Sequence, residues 1–357
     1  MDPASPEIHD GGLLARDGCI EALGPWRRLQ GHGALCDLGA VTILPGLINA
    51  HAHLGLSRLA GRIPAGLGFA SWADRLFALL QEAAEQAPLD AAIRVAVRTG
   101  TCFVADVVGR DGGRIRQALD AQGLGGYLFQ EFSGSHRARN FIPRPLSEPW
   151  SSAVHALYST ASDYAWLIKS WCRERGRPFS LHLAESPGEN ELFMTGRGEF
   201  AEFVRSRRIL PKGFVVPGMS AVAFAHGLGL LDQGTLAVHC VQVGQGDMEL
   251  LAASGATVCL CPRSNEWVGV GQPPAAGLRE AGVPLCLGTD SLASNADMDL
   301  WAELRAMRRL LPGLTDVAGL LALVTVNPAK ALGIAAQYGS LEVGKSAAWA
   351  VLPEDFN

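Results

Sequence analysis

The middle of the chain alternates short apolar segments typical of strands with longer amphipathic segments typical of helices. The β-rich segments include Leu181–Ala184, Ala237–Val241, Ala256–Leu260 and Val283–Gly288, and helical patterns include Glu189–Arg207 and Met298–Leu311. Such alternation predicts parallel strands joined by helices. With 357 residues, 48 % of them hydrophobic and only 18 % charged, the chain can bury a large core. This length favours a closed eight-stranded (β/α)8 barrel over an open sheet, although periodicity alone does not separate the two.

Both ends of the chain have a different, strand-and-turn character. Residues 11–44 contain short β-rich runs broken by glycine, and the Asp17-Gly18 pair is typical of a hairpin turn. Residues 339–353 have the same composition. We therefore expect the two ends of the chain to pair with each other in one small β-element beside the larger middle.

Composition excludes several classes of partner. The formal net charge is −5 and basic residues are scattered, so nucleic acid and an anionic membrane surface are not expected as partners. The eight cysteines lie in apolar runs, which indicates reduced thiols rather than a disulfide framework. The first ten residues are polar and acidic, unlike a signal peptide, and no apolar stretch has the length of a membrane span. We expect a cytoplasmic protein.

The sharpest local motif is a pair of histidines at the end of a predicted strand. His51 and His53 follow the apolar run Leu44-Pro45-Gly46-Leu47-Ile48-Asn49-Ala50, separated from each other by one alanine. Because alternate residues of a strand share a face, the two imidazoles should point toward the same place. Neutral imidazole is the commonest metal ligand in proteins. Taken alone, the pair is also compatible with two histidines at a strand edge by chance.

Three further predicted strands end in residues of the metal-ligating type. These are His182, followed three residues later by Glu185, then His239, and finally Asp290. In a barrel of parallel strands, the carboxyl ends meet on one face, where the chemistry of such folds takes place. Each residue alone could be a buried polar side chain or the first turn of a helix. Four such strand ends in one chain predict a metal site.

The order and context of these residues resemble the amidohydrolase superfamily, in particular its branch of cytosine deaminases and chlorohydrolases. The matching stretches are PGLINAHAHL at 45–54, HLAES at 182–186, VHCVQVGQGDMELLAASGATVCLCPRSN at 238–265, LGTDSLASN at 287–295, TVNPAKALG at 325–333 and GSLEVGK at 339–345. The resemblance implies a distorted TIM barrel over residues 45–333. It also implies a composite β-sandwich domain, formed from residues 1–44 and 334–357.

The resemblance also implies roles for individual residues. The metal ligands would be His51, His53, His182 and Asp290. Catalysis would use three groups: His239 to orient the attacking water, Glu185 to carry a proton to the substrate ring, and Asp290 to accept the proton of the water. Relatives with two metal ions add a bridging lysine on the fourth strand. Residues 152–158 contain no lysine, so we expect one divalent ion per chain, Zn²⁺ or alternatively Fe²⁺.

Residues near these strand ends are candidates for substrate contacts. They are Trp72, His155, Arg263, Ser264, Asn265 and Ser291. Trp72 lies in a glycine-rich segment after the histidine pair, and His155 matches a family pattern on the fourth strand. Helix-start packing for Trp72 and helix capping for Ser264 and Asn265 are the structural alternatives. Gly55 departs from the family, whose members often carry a glutamate there that faces the substrate.

We therefore expect a hydrolytic deaminase that releases ammonia from an adenine-type ring of a nucleoside, a small-molecule substrate. Within the superfamily the chain resembles the aminodeoxyfutalosine deaminases of menaquinone biosynthesis. The alternatives are a guanine deaminase, a methylthioadenosine or S-adenosylhomocysteine deaminase, and a triazine-type chlorohydrolase. An inactive binding scaffold is the alternative outside enzymes, and a homodimer is a possible assembly. Deaminases that edit nucleic-acid bases are excluded, because their H-x-E and P-C-x-x-C motifs are missing.

Overall fold

The fold is built on eight parallel strands, seen here in a computed structural model that describes residues 7–82, 85–109, 111–135, 150–313 and 316–356. The strands are β4 Leu47–Ala52, β5 Thr101–Val108, β6 Gly125–Phe132, β7 Trp150–Val154, β8 Phe179–Leu183, β9 Thr235–His239, β10 Thr257–Leu260 and β11 Leu285–Leu287. They pair in chain order from β4 to β11. A parallel bridge between Ala52 and Asp290 joins the last strand to the first. The predicted (β/α)8 barrel is confirmed.

Barrel closure depends on a close approach of β4 and the segment after β11. A Cβ atom at Gly288 would lie 2.7 Å from both the Cβ and the carbonyl oxygen of His51, so only glycine fits there. The amide of Asp290 then donates to the carbonyl of His51 over 3.1 Å. Backbone contacts therefore tie together two segments that carry predicted metal ligands, His51 and Asp290.

Helices follow the barrel strands and cover the outer surface of the sheet. They are α1 Phe69–Leu79, α2 Gln86–Arg98, α3 Gly112–Ala121, α4 Ser162–Glu174, α5 Pro187–Thr195, α6 Glu199–Ser206, α7 Ala221–Gly227, α8 Gln245–Ser254, α9 Pro262–Val268, α10 Ala275–Glu280, α11 Leu300–Leu310, α12 Val317–Ala322 and α13 Val326–Ala331. Short 3₁₀ helices span Trp26–Arg28, Leu54–Leu59 and Glu354–Phe356.

One predicted helical segment is in fact two helices. The pattern Glu189–Arg207 was expected to be continuous, but α5 ends at Thr195 and α6 begins at Glu199. Gly196 and Gly198 both have positive φ angles, +69° and +93°. Gly196 ends α5 in the left-handed conformation that glycine adopts without a steric penalty. The apolar periodicity continued across this break, which is why it predicted one helix.

Side chains alternate between the inside of the barrel and the helical layer. On β6, Tyr127 and Phe129 pack inside with Ile48 and Phe103, whereas Leu128 packs outward with the residues of α2 and α3. This is the two-residue period of a strand, with both faces of the sheet buried. Polar side chains that follow the interior line at the carboxyl end of a strand therefore point into the mouth of the barrel.

The chain ends form two small antiparallel sheets. The strands β1 Gly11–Arg16 and β2 Cys19–Pro25 make a hairpin, and β3 Ile43–Pro45 pairs with β12 Trp349–Val351. Asp17 and Gly18 have φ angles of 50° and 78°, so the predicted hairpin turn is confirmed. Hydrogen bonds from the amides of Ile20 and Ala347 tie the hairpin to the C-terminal segment. The expected division into domains 1–44 with 334–357 and 45–333 stays a prediction, and residues 1–6 and 357 lie outside the described residues.

Two further expectations concern thiols and membrane segments. All eight cysteines are free, and Cys172, Cys240, Cys259, Cys261 and Cys286 are buried. Among the described residues, no helix combines the length and the apolar character that crossing a membrane requires.

Candidate metal centre

Three histidine side chains from two strands converge at the carboxyl end of the barrel. His51 lies in β4, His53 follows it after Ala52, and His182 lies in β8. The Nε2 atom of His182 is 3.2 Å from Nε2 of His53 and 3.3 Å from Nε2 of His51. The register of β4 against β5 shifts between Asn49 and Ala52, an irregularity next to the two histidines. The structure brings together the nitrogens of these three predicted ligands.

The fourth predicted ligand approaches the same point. Oδ1 of Asp290 is 3.8 Å from Nε2 of His51 and 3.7 Å from Nε2 of His53. Ligand atoms at ~2.1 Å from an ion in a tetrahedral arrangement stand about 3.4 Å apart. The observed separations of 3.2–3.8 Å are close to this value. Three imidazoles and one carboxylate at this spacing fit a single divalent metal ion.

The protonation of the donors agrees with that fit. Burial lowers the pKa of His51 and His182 well below the ordinary histidine value, so both rings are neutral near pH 7. Nδ1 of His182 is 2.8 Å from the carbonyl oxygen of His155. Because that carbonyl can only accept, Nδ1 carries the proton and Nε2 presents its lone pair to the centre.

Asp290 is held as a carboxylate by its surroundings. Its Oδ2 accepts hydrogen bonds from the hydroxyl groups of Ser264, over 2.6 Å, and Ser294, over 2.9 Å. Burial opposes ionisation, but His53 and the hydrogen bond from Ser264 outweigh it and lower the pKa of Asp290 below its ordinary value. The other oxygen, Oδ1, therefore faces the histidines as a negatively charged atom that can bind a metal ion.

His239 and Glu185 lie together beside the centre. Nδ1 of His239 donates to Oδ1 of Asn265 over 3.0 Å, which leaves Nε2 of the ring facing Oε1 of Glu185 at 3.7 Å. Burial, and then the charge of Asp290, raises the pKa of Glu185 well above its ordinary value. The shift favours the protonated form of Glu185, and this form can donate a proton.

A second buried glutamate holds the segment that carries Glu185. The Glu189 carboxylate accepts the amide of Ala184 over 3.2 Å and the amide of Glu185 over 2.8 Å. The hydroxyl of Ser186 accepts the amide of Glu189 and caps α5. Ala184, with a φ of +51°, is thereby kept in a conformation that non-glycine residues seldom adopt.

Backbone strain is concentrated at this end of the barrel. Seven described non-glycine residues have positive φ angles, and four of them, Ala184, His239, Cys240 and Asp290, lie in or immediately after β8, β9 and the segment beyond β11. Such conformations persist only where the surrounding structure enforces them, and they cluster at functional sites. The strain therefore marks the same strand ends as the ligand set.

Three other residues that were predicted to contact the substrate have hydrogen-bond partners within the protein. The Trp72 indole donates to the carbonyl of Ala293 over 2.9 Å, and the Ser291 hydroxyl lies 3.1 Å from that of Ser294. Nδ1 of His155 lies 2.7 Å from the Ser159 hydroxyl.

Arg263 forms an ion pair within the protein. Its guanidinium donates twice to the Asp297 carboxylate, at 2.6 and 3.2 Å, and also lies 3.7 Å from buried Glu303. Its predicted substrate contact therefore stays a prediction.

Sequence reasoning missed several polar residues of the site. Glu131 ends β6 beside His155 and His182, and Glu189 and Ser294 support Glu185 and Asp290 as described above. Glu131 follows an apolar run much as the predicted ligands do, with Gln130 between, but this pattern alone does not distinguish it from other residues at strand ends. At Gly55, where relatives often carry glutamate, a Cβ atom would lie 2.7 Å from Oδ2 of Asp111, so another carboxylate fills this space.

Comparison with known proteins agrees with a barrel hydrolase that binds a divalent metal. The sequence profile of the amidohydrolase family matches residues 42–357. This chain belongs to the amidohydrolase family, and the prediction of a hydrolase from this superfamily is confirmed.

Two proteins of similar sequence are named as deaminases of adenine nucleosides. A 5-methylthioadenosine/S-adenosylhomocysteine deaminase of Nitratidesulfovibrio vulgaris is 29 % identical over 327 residues, covering 85 % of this chain and 69 % of its own length. A 5'-deoxyadenosine deaminase of Methanosarcina mazei is 26 % identical, covering 97 % of this chain and 80 % of its own.

Solved structures share the fold. An adenosine deaminase from Xanthomonas campestris with bound zinc superposes with a TM-score of 0.79 at 23 % identity, over 97 % of this chain and 80 % of its own. The aminofutalosine deaminase of Helicobacter pylori superposes with the same TM-score at 24 % identity, over 96 % and 87 %. At these identities the likeness establishes the barrel architecture.

Proposed function

We propose that this protein is a metal-dependent hydrolase that releases ammonia from the adenine ring of a nucleoside. The observation that carries the proposal is the pairing of two features at one point. One is the donor set of His51, His53, His182 and Asp290, which fits a divalent ion. The other is Glu185, a buried acid whose raised pKa keeps its proton available beside that set.

Each residue of the site has its own role in the proposed reaction. A divalent ion held by the donor set would supply Lewis-acid activation of the attacking water, and we propose Zn²⁺, with Fe²⁺ as the alternative. Nε2 of His239 is an acceptor whose orientation is fixed by Asn265, so it can hold the attacking water by one of its protons. Asp290 accepts the proton that the water loses and passes it to the amino group, which leaves as ammonia. The hydrogen bonds that its Oδ2 accepts from Ser264 and Ser294 orient this carboxylate.

Glu185 acts on the substrate. Its protonated carboxyl donates to the ring nitrogen next to the carbon that bears the amino group, which makes that carbon a better electrophile. General-acid help of this kind contributes roughly 10²–10⁴-fold to a rate. A reaction that expels chloride from a triazine needs such a proton less. For this reason a deaminase is favoured over a chlorohydrolase, and the intact ligand set favours an enzyme over an inactive scaffold.

The favoured substrate is an adenine nucleoside that is modified at the 5′ position. We propose 6-amino-6-deoxyfutalosine as the first candidate, and a role in menaquinone biosynthesis depends on that choice. Methylthioadenosine is the second candidate, because the Nitratidesulfovibrio vulgaris relative is named for it and for S-adenosylhomocysteine. We also propose that the protein is soluble and intracellular and that it forms a homodimer.

The test is ammonia release from a substrate panel by the metal-loaded protein. The panel contains aminodeoxyfutalosine, methylthioadenosine, S-adenosylhomocysteine, adenosine, guanine and a chlorinated triazine. We expect the highest kcat/KM for an adenine nucleoside with a 5′ substituent. A best substrate that is guanine or the triazine would overturn the proposed substrate class while leaving the metal centre intact.

A further inference from the structure

Glu131 points into the mouth of the barrel from the end of β6. Tyr127 and Phe129 of the same strand pack in the barrel interior, and Leu128 packs outward. Because side chains alternate along a strand, Glu131 continues the interior line one step beyond Phe129. It is paired in register with Ala153 of β7, and the amide of His155 donates to the carbonyl of Phe132. Glu131 and His155 are therefore neighbours on the rim.

The Glu131 carboxylate lies next to the metal centre and lacks a donor. One of its oxygens and one nitrogen each of His155 and His182 all lie within 4.8 Å of one another. Its Oε1 atom is buried, and no donor of the described chain is within hydrogen-bond distance of it. A buried carboxylate oxygen without a donor is costly, so this position indicates a partner that arrives with a ligand.

The neighbouring histidines do not supply that donor. The Ser159 hydroxyl donates to the carbonyl of Ala156, so Nδ1 of His155 must donate to Ser159, and its Nε2 is left as an acceptor. His182 donates through Nδ1 to the carbonyl of His155, and its Nε2 faces His51 and His53. A second metal ion held by Glu131, His155 and His182 would need a nitrogen of His182 that is already engaged.

The substrate class determines which donors can reach Glu131. In an adenine nucleoside the ring nitrogens without a substituent are hydrogen-bond acceptors, and Glu185 donates a proton to one of them. The 6-amino group is the leaving group at the metal centre. The remaining donors are the hydroxyl groups of the ribose, and a carboxylate is a good acceptor for them.

We propose that Glu131 is a specificity-determining residue that accepts hydrogen bonds from the ribose hydroxyl groups of an adenine nucleoside. This inference rests on the proposed function, and it concerns a different part of the substrate from the reacting ring. It predicts that the enzyme distinguishes nucleosides from their dideoxy analogues through this one side chain.

The experiment compares adenosine with 2′,3′-dideoxyadenosine in the metal-loaded wild type, in Glu131→Gln and in the matched control Gln130→Ala. Hydrogen bonds to a charged group should give the wild type a preference for adenosine of roughly 10–100-fold in kcat/KM. In Glu131→Gln the preference should become smaller, because the uncharged amide oxygen accepts weaker hydrogen bonds from adenosine than the carboxylate does, while the dideoxy analogue is used as before. Gln130→Ala, one position off the interior line, should keep the wild-type preference.

Binding of the two products gives a readout that does not require turnover. The ratio of the Kd values for 2′,3′-dideoxyinosine and inosine should exceed one in the wild type and should be smaller in Glu131→Gln, whose amide oxygen is an uncharged and weaker acceptor. An unchanged ratio in the variant, or no discrimination in the wild type, would overturn the role of Glu131 while ammonia release still supported the proposed function. Loss of metal in Glu131→Gln would instead identify it as a ligand and also overturn the inference. Absence of ammonia release from every adenine nucleoside would overturn both proposals together.

Discussion

The strand ends of β4, β8, β9 and β11 hold their polar side chains through several contacts, whereas β6 ends in a carboxylate with an unsatisfied oxygen. Asp290 is fixed by two serine hydroxyls, His239 by Asn265, and His182 by a backbone carbonyl. Oε1 of Glu131, by contrast, is buried without a donor among the described residues. We call these two regions the metal side and the recognition side of the rim.

The difference indicates how the two sides work. Groups that hold an ion and move protons must be in position before the substrate arrives, and this preorganisation is supplied by the protein itself. Groups that recognise the substrate can be left incomplete, because the substrate supplies the missing partner. Changes on the metal side should therefore abolish turnover for every substrate, and changes on the recognition side should alter only the preference among substrates.

The largest effect is expected on removal of a ligand from the metal side. His182→Ala leaves two imidazoles and a carboxylate, so the protein should lose its ion and its activity should fall to the background. The measurements are metal content by elemental analysis and ammonia release. His226→Ala, at an exposed histidine of α7, is the matched control and should keep both. Stoichiometric metal in His182→Ala would show that His182 is not a ligand.

A somewhat smaller effect is expected when the proton donor is changed and the ligands are kept. Glu185→Gln retains the shape and the hydrogen-bonding groups of the side chain but removes its acidic proton. We expect kcat to fall by at least about 10²-fold with the metal still bound. Turnover close to that of the wild type would reduce Glu185 to a buried residue without a part in the chemistry.

The metal side could be predicted from the sequence, and the recognition side could not. His51, His53, His182 and Asp290 each end an apolar strand, and a barrel brings all strand ends together, so local patterns were sufficient. Glu131 has the same local pattern. What singles it out is an oxygen without a donor, and this depends on the whole surrounding structure.

Long-range pairing and backbone conformation account for the other differences. Asp297, 34 residues away in the chain, pairs with Arg263, and no local pattern connects the two. The break between α5 and α6 depends on glycines in the left-handed conformation, which the apolar periodicity does not register. Parallel strands joined by helices were predictable from the alternation along the chain. Chain length and the family resemblance favoured closing these strands into an eight-stranded barrel.

A more moderate effect is expected from loosening a group of the metal side without removing it. Asn265→Ala deletes the acceptor that fixes Nδ1 of His239, so the ring loses its orientation. Removal of such a supporting partner typically costs 10–100-fold in activity. Metal content should be unchanged, because His239 is not among the proposed ligands. Turnover that does not change in Asn265→Ala would mean that His239 needs no support from this side chain.

The smallest effect concerns stability rather than turnover. Burial raises the pKa of Glu189 to about 7, above the ordinary value of 4.5. Between these values the unfolded chain ionises and the folded one does not. The stability that the protonated side chain contributes is therefore fully present below pH 4.5 and is lost as pH rises to about 7.

This loss can be measured as the free energy of unfolding in urea at pH 4.5 and pH 8. Between these pH values the group should lower the free energy of unfolding of the wild type relative to that of Glu189→Gln by on the order of 3 kcal/mol. The variant cannot ionise, and the buried histidines, which act in the opposite direction, are the same in both proteins. Glu191→Gln, an exposed neighbour on α5, should behave like the wild type. Equal pH dependence in Glu189→Gln and the wild type would contradict the assigned protonation.

We expect that the protein needs one divalent ion, held by the metal side, to release ammonia from an adenine nucleoside. It is tested most directly by stripping the protein with a chelator and titrating Zn²⁺ back while ammonia release from methylthioadenosine and aminodeoxyfutalosine is followed. We expect no ammonia release from the stripped protein. As Zn²⁺ is added, the rate of release should rise linearly and level off at one equivalent of metal per chain. A plateau at two equivalents, or ammonia release that does not depend on metal, would contradict it.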